Sequence, residues 1–288
     1  VIKFELKATG TTWFFEFDVD LSTLMEQRLF NDITNLLFQF QSKYSRFDYN
    51  SDVSLLNRGE LLFNPTIDLI KLIDFGLKLE KETEGDFTIF IGQKMNYQGY
   101  TPNYNFEDGV KFEGQLIKGF DHYSPKSIQL KPEAKIDLGS YAKGYLVDLC
   151  YDLIVKSLGG IPFFINAGGD IRVNNYPQKF YLENPFVLNE YIGSIQINSG
   201  AIAASNNLKR TWTNSKNERF SHLESKNHVV GVFTYAQDCL TADAFSTLLF
   251  VSKPELSENI ANVNSVSWLK VFDSHNYSKH PDYSGILF

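Results

Sequence analysis

Hydrophobic and polar residues alternate over the first twenty positions on either side of Thr9-Gly10-Thr11, so the chain opens as two short strands around a turn. From about Ser22 the period changes. Leu24, Leu29, Ile33, Leu36 and Leu37 recur at helical spacing and predict an amphipathic helix with a broad apolar face. Asn64-Pro65 opens a second helix, capped by Asn64 or Thr66, with Ile67, Leu69, Ile70, Leu72, Ile73 and Leu77 as apolar positions. It should close in the charged turn Lys78 to Glu84 and at Gly85. The clearest helix runs from Ser140 to Ser157, with Tyr145, Leu149, Leu153 and Val155 along one side and Gly159-Gly160 as its stop. Pro162-Phe163-Phe164-Ile165 then reads as a buried strand ending at Asn166-Ala167-Gly168-Gly169-Asp170. Further strands are predicted at Tyr191 to Asn198, His228 to Tyr235 and Ser267 to Phe272, with helices at Thr241 to Val251 and Glu255 to Val263. Strands and helices do not strictly alternate, which places the chain in the α+β class. With no repeat or evident linker, residues 1–288 are expected to form a single domain.

Composition narrows the partners. The chain has 288 residues, 43% of them hydrophobic, enough for a sizeable core. Its 34 acidic and 27 basic residues are scattered without long like-charged blocks, so it offers no basic stripe for nucleic acid. A phosphorylated ligand would need local help from a metal ion, a lysine or backbone amides, because a net charge of -7 repels anions. Cys150 and Cys239 are expected to be buried thiols rather than a disulfide or a metal cluster. No stretch reaches the ~18 apolar residues that a membrane span requires. The chain starts at Val1 rather than Met, which leaves compartment open and is compatible with a removed targeting segment or lipid anchor.

Four segments carry candidate chemistry. Asp137-Leu138-Gly139-Ser140-Tyr141-Ala142-Lys143-Gly144-Tyr145, followed by Asp148, sets small residues and a lysine where a helix begins. Helix-start amides attract anions there, although an ordinary turn with a solvated Lys143 fits equally. Gly168-Gly169 frees backbone amides for a ligand, and Asp170 can accept from a hydroxyl or bond its own turn. Asp243 and Thr247 lie four apart and share a helix face, a carboxylate and a hydroxyl suited to Mg²⁺. Alternatively, Asp243 answers the helix dipole and Thr247 bonds back to the carbonyl of residue 243. Histidines 122, 222, 228, 275 and 280 are too dispersed for a metal cluster and are mostly expected at the surface. His222 follows a polar, loop-like segment, Thr211 to Arg219, and could serve in proton transfer.

In their order, these segments resemble the motif set of the ApbE-type FAD:protein FMN transferases from about residue 8 to residue 251. Ser45-Arg46-Phe47 and Ser51-Asp52-Val53-Ser54-Leu55-Leu56-Asn57 match the N-terminal signature. The Asp-Leu-Gly-Gly-x-Ala-Lys-Gly-Tyr motif stands at 137 to 145 with Ser140 in place of a glycine. Asn-Ala-Gly-Gly-Asp is intact at 166 to 170, and Ala-Asp-Ala-x-Ser/Ala-Thr is intact at 242 to 247. Departures fall at Gly85-Asp86-Phe87-Thr88-Ile89-Phe90, Gln98-Gly99 and Ala203-Ala204-Ser205-Asn206. Another is His222-Leu223-Glu224-Ser225-Lys226, which keeps the histidine but lacks the family's Asp-Pro and Thr-Gly.

The resemblance implies one α+β fold with mixed sheets, flanking helices and a ligand cleft between subregions. It implies that Asp137 and Lys143 help to hold FAD, and that Ser140, Asp243 and Thr247 bind Mg²⁺. Thr9, Phe47, Asn96, Gly168, Gly169, Asp170 and Glu224 are the further residues expected at the flavin nucleotide. Lys143, His222 and Asp243 are the candidate catalytic residues. The implied reaction joins FMN through a phosphoester to a Thr or Ser of an acceptor flavoprotein and releases AMP. The same site with water as nucleophile would be an FAD pyrophosphatase, and a site that no longer catalyses would be an FAD-binding module. An extracytoplasmic or membrane-associated setting is the family's implication, with any membrane attachment through a segment outside this chain.

Overall fold

The computed structural model describes residues 1–208, 211–225, 227–272 and 276–288. The chain forms two compact units. One comprises residues 1–39, 140–208 and 223–288, and the other comprises residues 40–139 and 209–222.

An eight-stranded sheet organises the first unit. Its order is Ile2–Ala8, Thr11–Phe17, Phe163–Ala167, Asp170–Asn174, Gly200–Asn206, Gly231–Ala236, Ser267–Val271 and Tyr277–Lys279. The fold is α+β. Where mixed sheets were expected, every ladder among the described residues is antiparallel. Two-residue loops explain part of this. Thr9-Gly10 and Gly168-Gly169 join adjacent strands with both φ values positive, at 50° and 72° and at 69° and 109°. That geometry matches the twist of an antiparallel hairpin. Gly168 has no alternative, because a Cβ there would meet Thr11 Oγ1 at 2.1 Å.

Both faces of this sheet are covered. Ile171, Val173, Ile202, Phe233, Leu269 and Val271 pack with Leu182, Ile195 and Ile197 of a small sheet built from Gln178–Glu183, Tyr191–Ile197 and Ile286–Leu287. Helices Ala142–Leu158 and Cys239–Val251 pack against the sheet and each other. Covered on two sides, Ser267–Val271 is buried at all five positions and shows no in–out alternation.

Helix Ala142–Leu158 begins two residues later than expected, and its buried stripe is Gly144, Leu146, Val147, Cys150 and Ile154. Tyr145, Leu149, Leu153 and Val155 are only half-buried. The contact at Gly144 sets this rotation, since a Cβ there would lie 2.3 Å from the carbonyl oxygen of Cys239. Helix Thr23–Tyr44 buries Leu29, Ile33, Leu37, Phe40 and Tyr44, whereas Leu24 is exposed in its first turn. Cys150 and Cys239 are both buried, and burial pushes both thiols up.

The second unit holds helices Asp52–Asn57, Ile67–Glu82 and Gly92–Tyr97, and a sheet of Leu62–Phe63, Ser127–Leu130 and Phe120–Ser124. Thr66 caps helix Ile67–Glu82 by accepting from the amide of Leu69 at 3.2 Å. The charged residues from Lys78 to Glu82, expected as a turn, are helical because long charged side chains lose little rotamer freedom in a helix. The segment expected as a loop is a hairpin, Thr211–Thr213 against Arg219–Ser221, turned by Asn214. Trp212 anchors it, donating from Nε1 to the carbonyl of Gln98 at 2.6 Å and stacking on Tyr100 and Phe106.

Candidate functional site

In the first unit, the start of helix Ala142–Leu158 meets helix Cys239–Val251. Asp243 Oδ2 accepts from the backbone amide of Gly144 at 2.9 Å. One residue earlier, Lys143 Nζ lies 2.5 Å from Asp170 Oδ2 and 3.3 Å from the carbonyl of Ala167. The structure thus brings together Lys143, Asp170 and Asp243 from three separated motifs. Lys143 is ion-paired rather than simply solvated. Asp170 is 2% exposed and turns toward the lysine, while Asn166 Oδ1 accepts from Gly169 to close the turn. Thr9 occupies the neighbouring hairpin with positive φ, where its Oγ1 accepts from Trp13 Nε1 at 3.1 Å.

Helix Cys239–Val251 is capped twice. Its own N-cap Asp238 accepts from Thr241, and Asp148 accepts from the amides of Cys239 and Leu240 at 2.9 and 2.8 Å. Asp148 also accepts from Arg172 Nη1 at 2.8 Å. Burial pushes the Asp148 carboxyl up to about 6, against the opposing pull of Arg172 and the two amides. Asp243 is therefore not the acid that answers this helix terminus. The hydrogen bond to the carbonyl of residue 243 comes from Ser246 Oγ at 2.8 Å, and Thr247 Oγ1 lies 3.3 Å from Ser205 Oγ.

Asp243 and Thr247 are each 7% exposed. A carboxylate and a hydroxyl form a hard oxygen set that fits Mg²⁺, an ion that keeps water and substrate phosphate among its ligands. Among the described residues, no three His, Cys, Asp or Glu side chains gather as a metal cluster. A cation at Asp243 would therefore be completed by hydroxyl, carbonyl, water or phosphate oxygens. Ser140 stands just ahead of Ala142, half-buried.

In the second unit, Asp137, Asn96 and Phe47 converge on Arg46. Arg46 Nε lies 2.6 Å from Asp137 Oδ2, Nη1 donates to Asn96 Oδ1 at 3.1 Å, and Nη2 donates to the carbonyl of Tyr100 at 2.6 Å. Its guanidinium carbon sits 4.5 Å from the Phe47 ring centroid. Asp137 Oδ1 accepts from Gly139 at 2.7 Å. The signature before it is scaffolding: Ser51 Oγ donates to the carbonyl of Ser45, and Ser54 Oγ donates to that of Arg46. Asn57 brackets Ile136, donating to its carbonyl at 2.9 Å and accepting from its amide at 2.7 Å. His222 follows the Arg219–Ser221 strand and is half-buried. Glu224, of the first unit, is exposed. His122 and His228 are exposed and His280 is half-buried, while Lys226 and His275 lie outside the described residues.

Arg46, Asp148 and Arg172 have clear roles here that the sequence did not assign. Arg46 and Asp148 sit within or beside quoted motifs, but key partners lie far along the chain, 50 residues from Arg46 to Asn96 and 92 from Asp148 to Leu240.

This arrangement defines a known class. The chain belongs to the ApbE family, whose model matches residues 9–269. Among its relatives, an FAD:protein FMN transferase of Haemophilus influenzae is 24% identical over 96% of this chain and 88% of its own length. Another of that name, from Vibrio cholerae, is 26% identical over 91% of this chain and 84% of its own. The fold is similar to the ApbE protein of Thermotoga maritima, at a TM-score of 0.85 and 22% identity, covering 98% of this chain and 99% of that one. It is also similar to the flavin transferase ApbE from Vibrio cholerae, at a TM-score of 0.76 and 20% identity over 98% and 97% of the two chains.

Proposed function

We propose that this protein is a Mg²⁺-dependent FAD:protein FMN transferase. A Thr or Ser hydroxyl of an acceptor flavoprotein attacks the FMN-side phosphorus of FAD. The new oxygen–phosphorus bond forms as the pyrophosphate bond to AMP breaks, and the hydroxyl proton passes to His222. The observation that carries this reading is the buried Asp243–Thr247 pair, with its carboxylate held by the amide of Gly144 beside Lys143. Family membership and the names of the relatives support it.

In this reading Asp243, Thr247 and Ser140 hold the cation. When bound, Mg²⁺ neutralises charge that develops on the phosphoryl and leaving oxygens. Lys143 adds positive charge, tempered by Asp170. Asp137, Asn96, Phe47, Thr9, Glu224 and the Gly168-Gly169 amides bind FAD. Arg46 fixes the carboxylate of Asp137 and the amide of Asn96 in advance, which lowers the ordering cost of binding.

Incubation with FAD, MgCl₂ and a flavin-carrier domain tests the reading, followed by AMP assay and in-gel flavin fluorescence after denaturation. A fluorescent carrier with stoichiometric AMP is expected. AMP with free FMN would instead identify a pyrophosphatase, and unchanged bound FAD would identify a binding module.

A further inference from the structure

Three buried hydroxyls adjoin the proposed cation site. Ser205 on strand Gly200–Asn206 lies 2.7 Å from Ser246 Oγ and 3.3 Å from Thr247 Oγ1, and Ser246 Oγ lies 2.8 Å from the carbonyl oxygen of Asp243. A hydroxyl has one proton to donate, and a carbonyl oxygen only accepts. The Ser246 proton is therefore committed to Asp243. In its contact with Ser246, Ser205 must be the donor. Its single proton spent, Ser205 then accepts from Thr247.

We propose that Ser205 is a positioning residue for Thr247, imposing a proton order that points the Thr247 proton into the protein and leaves its lone pairs for a divalent cation. The proposal rests on the reading of Asp243 and Thr247 as cation ligands. All three hydroxyls are buried, with relative exposures of 9%, 0% and 7% for Ser205, Ser246 and Thr247, so water competes little for these bonds. Ser205 lies in Ala203-Ala204-Ser205-Asn206, one of the segments that depart from the family pattern.

The test is calorimetric titration of MgCl₂ into the purified protein and its variants, with thermal unfolding of each without metal. Ser205→Ala should bind Mg²⁺ roughly two- to tenfold more weakly, the equivalent of one ordinary hydrogen bond. Ser205→Cys keeps the shape with a weak donor and should also lose affinity. Ser205→Thr keeps the hydroxyl and should restore it. Wild-type affinity in both Ser205→Ala and Ser205→Cys, with binding lost in Asp243→Asn, would overturn the role of Ser205 alone. Absence of Mg²⁺ binding to the wild-type protein, or binding unchanged in Asp243→Asn, would overturn the cation reading beneath it.

Discussion

Arg46 and Asp137, ninety-one positions apart in sequence, meet as a nearly buried ion pair whose Nε and Oδ2 atoms are 2.6 Å apart. The same guanidinium serves Asn96 and the Tyr100 carbonyl, so its removal strands three acceptors at once. Arg46→Ala should cost about 3 kcal/mol of stability, in the range for breaking a buried charge pair. Arg46→Lys keeps the charge but not the planar fork and should fall in between. Urea unfolding checks the stability, and FAD fluorescence titration checks the expected weakening of binding.

Asp243 serves both the fold and the proposed chemistry, so the choice of substitution matters. Asp243→Asn retains an oxygen to accept from Gly144 but loses the negative charge. Mg²⁺-dependent flavinylation should fall by at least ~100-fold, with the melting temperature within a few degrees of wild type. Asp243→Ala also leaves the Gly144 amide without its acceptor and should be less stable by about 1–3 kcal/mol. Full flavinylation in either variant would remove Asp243 from the mechanism.

Gly144 permits no side chain. Gly144→Ala would place Cβ 2.3 Å from the Cys239 carbonyl oxygen and 2.8 Å from Asp243 Cβ, both on helix Cys239–Val251. The helices must separate, and a loss of at least about 2 kcal/mol is expected by denaturant titration.

Asp148 predicts a pH dependence. Its carboxyl is raised to about 6 in the folded protein from an ordinary value near 3.8. The folded state therefore holds a proton that the unfolded chain has released, and this contribution to stability is present in full below the ordinary value. It is lost as pH rises through about 6, a change of roughly 3 kcal/mol for a shift of this size. Asp148→Asn should flatten that part of the stability curve between pH 4 and 6.5, as measured by urea unfolding in a buffer series.

The local features of this fold were legible in the sequence. Gly10 and Gly168-Gly169 marked their hairpins because glycine takes positive φ without strain, whereas Thr9 holds φ 50° despite its branched side chain. The helices carrying Lys143 and Asp243 announced themselves by period and by their stops. Their rotation was less legible: a helix packed on two sides has apolar residues around most of its circumference, and only the contact at Gly144 selects the buried stripe. Arg46 looked like one more arginine beside a phenylalanine, because Asp137, Asn96 and Tyr100 are brought to it by the fold. Ser205 was hidden for the same reason, since a serine in a strand has no signature until its neighbours across the core are known.

The bracket formed by Asn57 has a consequence for how the second unit tolerates change. One carboxamide reads both polar groups of Ile136, as a neighbouring strand would, and Lys135 closes on the carbonyl of Asn57 at 2.7 Å. A single side chain thus staples the end of an excursion of nearly eighty residues beside Asp137. A change elsewhere in that excursion that leaves Asn57, Lys135 and Ile136 in place is expected to leave the register of Asp137 unchanged.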